Sequence, residues 1–160
     1  MVECQTVSEA VSGRVGEENT TDWISIDQSM INAFADVTKD HQFIHVDPEG
    51  AKQTPFGSTV AHGFLSLSLL SHFAEEFGFA IPGVVMAINY GFEKVRFINP
   101  VKSGSEIRAQ SKVADITEKS PGQFLIKYEV TIEIKGQEKP ALVADWLIMQ
   151  ITHEKQTEQK

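Results

Sequence analysis

Asp40 and His45 place a carboxylate and an imidazole with four residues between them, in a stretch that has neither helical nor strand periodicity. An imidazole exchanges protons near neutral pH, and a carboxylate beside it completes an acid–base pair. Loops carry such groups more often than regular elements do. Further on, Gly57-Ser58 leads into His62-Gly63 and then a long apolar run. The first-turn N–H groups of a helix that starts at Gly63 have no intrahelical partner and can hold a developing oxyanion. The competing reading of Gly63 is close packing alone, and both stay open at this level. His62 reads as a structural or capping residue. Ser66, Ser68 and Ser71 read as small packing residues, since no G-x-S-x-G elbow surrounds them. His41, His45 and His62 lack a paired ligand spacing and the chain has one cysteine, so a metal site is not expected. There is neither a P-loop nor a dinucleotide fingerprint.

These residues need elements to hold them. Asp27 reads as an N-cap, and Met30, Ile31, Phe34 and Val37 follow at helical spacing to about Thr38. Asp47-Pro48-Glu49 starts a second, short helix. The run from Gly63 to Phe77 is apolar nearly all round, which predicts a buried central helix stopped by Gly78. From Val84 the period changes to strands. Val84 to Phe97 is long and β-forming, with Gly91 as a bulge, and Ile107 to Val113 alternates with polar residues. Phe124, Ile126, Tyr128, Val130, Ile132 and Ile134 alternate with Lys127, Glu129, Thr131 and Glu133, so one face is buried and the other wet. Ala141 to Ile151 is a last strand, covered on both faces at Trp146-Leu147. Helices in the first half and strands joined by short turns in the second predict an α+β fold, an antiparallel sheet laid against one buried helix. Residues 1–21 read as an arm that is mostly loop, 22–152 as the domain and 153–160 as a polar tail.

The chain has 160 residues, enough for one core, and a net charge of −8. No Lys/Arg cluster is present, which argues against a nucleic-acid partner. An anionic ligand would have to be held by a helix start or by isolated cations such as Lys94 and Arg96. There is no apolar run long enough to span a membrane, the polar N-terminus is unlike a signal peptide, and Cys4 has no internal partner. Together these predict a cytoplasmic protein with no membrane partner.

The string Asp40-His41-Gln42-Phe43-Ile44-His45-Val46-Asp47-Pro48, followed by Ala61-His62-Gly63-Phe64-Leu65, resembles the MaoC-like dehydratases, which include (R)-specific enoyl-CoA hydratases. Asn89-Tyr90-Gly91, Lys94-Val95-Arg96-Phe97 and Pro100-Val101 fit the branch similar to nodulation protein N, so the resemblance spans roughly residues 22–152. It implies a hot-dog fold, in which a long antiparallel sheet wraps a central helix, and dimers with the site near the interface. By resemblance Asp40 and His45 are the catalytic pair, and Gly63 supplies the oxyanion N–H. Gln42, His62, Ser71 and Arg96 support the site or bind substrate. The commoner motif has Gly, Asn and Pro where this chain has Lys39, Gln42 and Phe43. Lys39 favours an ionised Asp40 if it points inward and does nothing if it points outward.

The expected activity is reversible hydration of a trans-2-enoyl-CoA to the (R)-3-hydroxyacyl-CoA, with no cofactor because the thioester supplies its own activation. The rivals are acyl-CoA thioester hydrolysis on the same fold and a non-catalytic acyl-CoA-binding module. A homodimer or higher even oligomer is expected, because a long sheet edge is not left bare.

Overall fold

Strands β4 (Ser105–Ser120), β5 (Gln123–Ile134) and β6 (Leu142–Thr152) form a continuous antiparallel meander in the computed structural model, which describes residue 11 and residues 13–153. The alternation in β5 predicts its register correctly. Phe124, Ile126, Tyr128, Val130, Ile132 and Ile134 are all buried, while Glu129 on the other face is exposed. Burial pushes the Tyr128 phenol up to about 12. Gly122, at φ +74°, turns β4 into β5, a conformation that suits glycine.

Two short strands, β1 (Glu18–Thr20) and β2 (Ile24–Ile26), both pair with β4. The arm expected to be mostly loop therefore contributes a strand; residues 1–10 and 12 of it, and 154–160 of the polar tail, lie outside the described residues. Strand β3 (Val84–Phe97) pairs antiparallel with β6, giving the order β1-β4-β5-β6-β3. Consecutive strands are thus not always neighbours, because the connection after β3 crosses to the far side of the sheet before β4. The expected bulge is present: the β3–β6 register shifts between Asn89 and Gly91, where Gly91 has φ +151°.

Helix α1 (Gln28–Thr38) starts as expected, with the Asp27 carboxylate accepting the Met30 N–H at 2.8 Å. Two single-turn helices follow, α2 (Phe43–Val46) and α3 (Pro48–Ala51), the latter capped by Asp47. The central helix is in two pieces, α4 (Gly63–Ser68) and α5 (Leu70–Phe77), with Leu69 between them. The Ser68 hydroxyl donates to the Phe64 carbonyl at 2.6 Å, and such back-bonding bends helices. Leu65, Leu70, Phe73 and Phe77 enter one core with the inner face of the sheet, Phe77 lying 5.3 Å from Tyr128 between ring centroids.

The expectation of burial all round this helix is corrected. Phe64 is 67% exposed, and Ser68, Ser71 and His72 are exposed, so one side of the helix is bare in the single chain. Gly78 ends α5 with extended backbone rather than the left-handed form, and it is needed for another reason. A Cβ there would lie 2.5 Å from the Ala74 carbonyl oxygen. Among the described residues, no helix is long and apolar enough to cross a membrane.

Candidate active site

The αL conformation of Lys39 (φ 64°) ends α1 and swings the chain so that Asp40 follows at its rim. His45 arrives on α2. His62 arrives from the opposite side, immediately before α4. One ligand-type atom from each of Asp40, His45 and His62 lies within 4.8 Å of the others. The expected Asp40/His45 pair is thus brought together, with His62 as a third member.

The two imidazoles stack, with centroids 3.7 Å apart and planes 24° apart. His45 Nδ1 lies 2.6 Å from the Val60 carbonyl oxygen, and His62 Nε2 lies 2.9 Å from the Asp40 carbonyl oxygen. A carbonyl only accepts, so each of these nitrogens carries the proton. His45 Nε2 is left as the nitrogen free to exchange a proton. The Asp40 carboxylate is itself 55% exposed; it accepts the Gln42 N–H at 3.3 Å and stands 3.9 Å from His62 Nε2.

His45 is buried and lies on a helical turn, a correction to its reading as a loop residue. Its support comes from residues that the sequence did not single out. The Gln28 amide donates to the His45 carbonyl at 2.7 Å and to Asn32, and it accepts from the Thr59 hydroxyl. Phe34 backs the His62 ring at 5.1 Å. Gln28 sits in the first turn of α1, where a polar residue carries no periodic signal. Only its contact to a segment 17 residues away identifies it.

His62 precedes α4, but its side chain caps nothing. The Leu65 and Ser66 N–H groups both reach the His62 carbonyl. Among the described residues the Gly63 and Phe64 amides have no such partner, and both residues are exposed. Gly63 also meets the close-packing reading, because the Phe97 ring occupies the space a Cβ would need.

Gln42 is exposed and touches Asp40 through its main chain. Ser71 lines a separate cavity of about 110 Å³ with Leu67, Leu70, Asn89, Phe92 and Trp146. Arg96 is exposed on β3, opposite Val143 of β6. Lys39 is exposed, so the outward alternative describes it.

Asp40, His45 and His62 have the donor types of a metal site, contrary to the expectation from spacing alone. Their orientations oppose one. Lone pairs lie in the ring planes, and nearly parallel stacked rings aim them side by side instead of at a common point. His62 Nε2 is committed to a carbonyl, which leaves Nδ1 as its one nitrogen without a hydrogen-bond partner among the described residues. The arrangement suits proton exchange by an open carboxylate and a latched imidazole.

The family described as MaoC like domain matches residues 10–136. The chain is 48% identical over 147 residues to nodulation protein N of Rhizobium meliloti (strain 1021), covering 86% of each. It is 43% identical over 139 residues to 3-hydroxyacyl-thioester dehydratase Z of Mycobacterium tuberculosis, covering 87% of this chain and 89% of that one. The structure resembles that of the (R)-hydratase from A. caviae involved in PHA biosynthesis, with a TM-score of 0.70 at 26% identity over 86% of this chain and 96% of that one.

Proposed function

The chain belongs to the MaoC-like domain family and has its hot-dog fold, and on that premise we propose that it is an (R)-specific enoyl-CoA hydratase acting reversibly on trans-2-enoyl-CoA thioesters. One observation carries the reading. Asp40 and His45 converge beside the start of α4, with His45 latched through Nδ1 so that Nε2 is its exchanging nitrogen.

The β-carbon of an enoyl thioester is electrophilic because the carbonyl withdraws electrons. Asp40 and His45 hold one water between them. As its oxygen bonds to the β-carbon, one of the pair takes a proton and the other delivers a proton to the α-carbon. The π electrons pass through an enolate whose oxygen is met by the Gly63 amide, so the charge develops against a fixed donor. Dehydration runs the same steps backwards. The substrate provides its own electron sink, so the chemistry calls for no cofactor. Arg96 and its neighbour Lys94 supply positive charge for the anionic end of CoA, in an otherwise acidic chain.

The working unit in this reading is a homodimer formed through β3. Among the described residues that strand is paired only with β6, and Val85, Met86, Ile88 and Tyr90 along it are between 41% and 62% exposed. A second copy laid edge to edge satisfies the free backbone groups and covers those side chains together with Phe64. Sedimentation at micromolar concentration is expected to give a dimer or a higher even species, and a monomer alone would refute it.

The activity test is a panel of enoyl-CoAs of increasing chain length, read by loss of the conjugated-thioester absorbance and by chiral analysis of the product. Loss with at least one chain length, and an (R) product, are expected. No loss with any of them would sink the reading. Free thiol released from a saturated acyl-CoA would replace it with hydrolysis, and calorimetric binding without turnover would replace it with a binding module.

A further inference from the structure

We infer that the tripeptide Val60-Ala61-His62 is a clamp that sets the Asp40–His45 geometry, with His62 as its positioning residue. The inference rests on the proposed role of Asp40 and His45 as a pair. Val60 grips the His45 side: its N–H donates to the Ile44 carbonyl at 3.0 Å, and its carbonyl accepts from His45 Nδ1 at 2.6 Å. Two residues on, His62 grips the Asp40 side through Nε2–H to the Asp40 carbonyl. The clamp is itself anchored. The Ala61 N–H donates to the Val101 carbonyl at 2.7 Å, and Val60 forms a bridge with Lys102.

The choice of residue at 62 argues for positioning over filling. His62 is 4% exposed, and its Nδ1 is buried with no hydrogen-bond partner among the described residues. A buried nitrogen without a partner is a cost that a phenylalanine, equally able to stack on His45 and Phe34, would not carry. What histidine adds is the donor on its other nitrogen, directed at the main chain of Asp40. Because Asp40 lies just beyond a left-handed residue at a helix end and its carboxylate is open to solvent, little else restrains it. Two groups that share one water must keep their separation closely, and an error of about 1 Å can cost up to 10²-fold in rate.

Two substitutions separate the ring from the donor. His62→Phe keeps a flat ring in the stack and removes the N–H; His62→Gln keeps an N–H at similar reach and removes the ring. In an active parent, His62→Phe is expected to lower kcat for hydration by about tenfold to a hundredfold with KM and melting temperature little changed. His62→Gln is expected to recover most of that loss. In an Asp40→Asn background His62→Phe should cost nothing further, because its effect passes through Asp40. A His62→Phe variant with parental kcat, or losses that multiply in the double variant, would overturn the clamp. If the parent hydrates no enoyl-CoA, the proposed function fails, yet the clamp is still tested by imidazole ¹⁵N shifts. These must show the proton on Nε2 of His62 and on Nδ1 of His45, and a His62 protonated on Nδ1 alone would refute it.

Discussion

The Phe97 ring lies against the bare Cα of Gly63, so that a Cβ at that position would meet Phe97 Cδ1 at 2.9 Å and Cε1 at 3.0 Å. Glycine at the start of α4 thereby spares the Phe97 ring a close contact. Phe97 is half exposed and can move, so Gly63→Ala should lower stability by about 1 kcal/mol, at the mild end of overpacking. In a Phe97→Ala background the same change should cost nothing more, and turnover should match that of Phe97→Ala alone, since alanine keeps the N–H. Melting curves of the four proteins check this; a full additional loss in the double variant would locate the strain elsewhere.

Asp40→Asn and His45→Gln should each reduce turnover by about 10²–10⁴-fold, and the double variant should lose little more than the worse single one. Their stabilities should differ. Asp40 is mostly open to solvent, so Asp40→Asn should melt like the parent. His45 is buried and bonded to Val60, so His45→Gln should lose about 1 kcal/mol or more. An Asp40→Asn protein with near-parental hydration would remove the mechanism.

Gln28 makes no contact to a reacting atom but holds the His45 carbonyl and the Thr59 hydroxyl together. Gln28→Ala leaves both without their partner, which should cost about 1–3 kcal/mol. It should also lower kcat more than it raises KM, because it loosens the turn that carries His45. Unchanged stability by denaturant titration would show that water replaces the amide.

The Met30 N–H, and after it the Ser29 hydroxyl, hold the Asp27 carboxyl below its ordinary value. A group with a lowered folded pKa contributes stability above its unfolded pKa and loses it as pH falls through the folded one. The cap of α1 should therefore weaken from about pH 4 downward. Asp27→Asn keeps a capping oxygen and removes the titration, so the melting-temperature gap between parent and variant should narrow as the solution is acidified. A gap independent of pH would mean that Asp27 does not carry this dependence.

Much of the secondary structure was legible in the chain because it is set locally. The Asp27 and Asp47 caps, the strict alternation of β5 and the Gly91 bulge depend on residues a few positions apart, and the resemblance carried by Asp40, His45 and His62-Gly63 pointed to the right family. Placement of β3 beside β6 instead of β4 was not legible, since the connecting segment does not reveal which sheet edge it crosses to. Nor was the exposure of Phe64 and β3: an apolar side chain reads the same whether its own core or another surface covers it.

The site divides in the same way. Sequence by itself determined the chemistry available, a carboxylate and an imidazole with four residues between them followed by a helix start, because side-chain type and short-range spacing need no fold. Only the tertiary structure decided that His62, 22 residues from Asp40, donates to its main chain and stacks on His45, and that Gln28 and Val60 hold the His45 turn. Those contacts join segments whose separation is fixed by how α1, α2 and α4 pack on the sheet. Such packing is the sum of many weak and non-directional apolar contacts, and no short stretch of sequence encodes it.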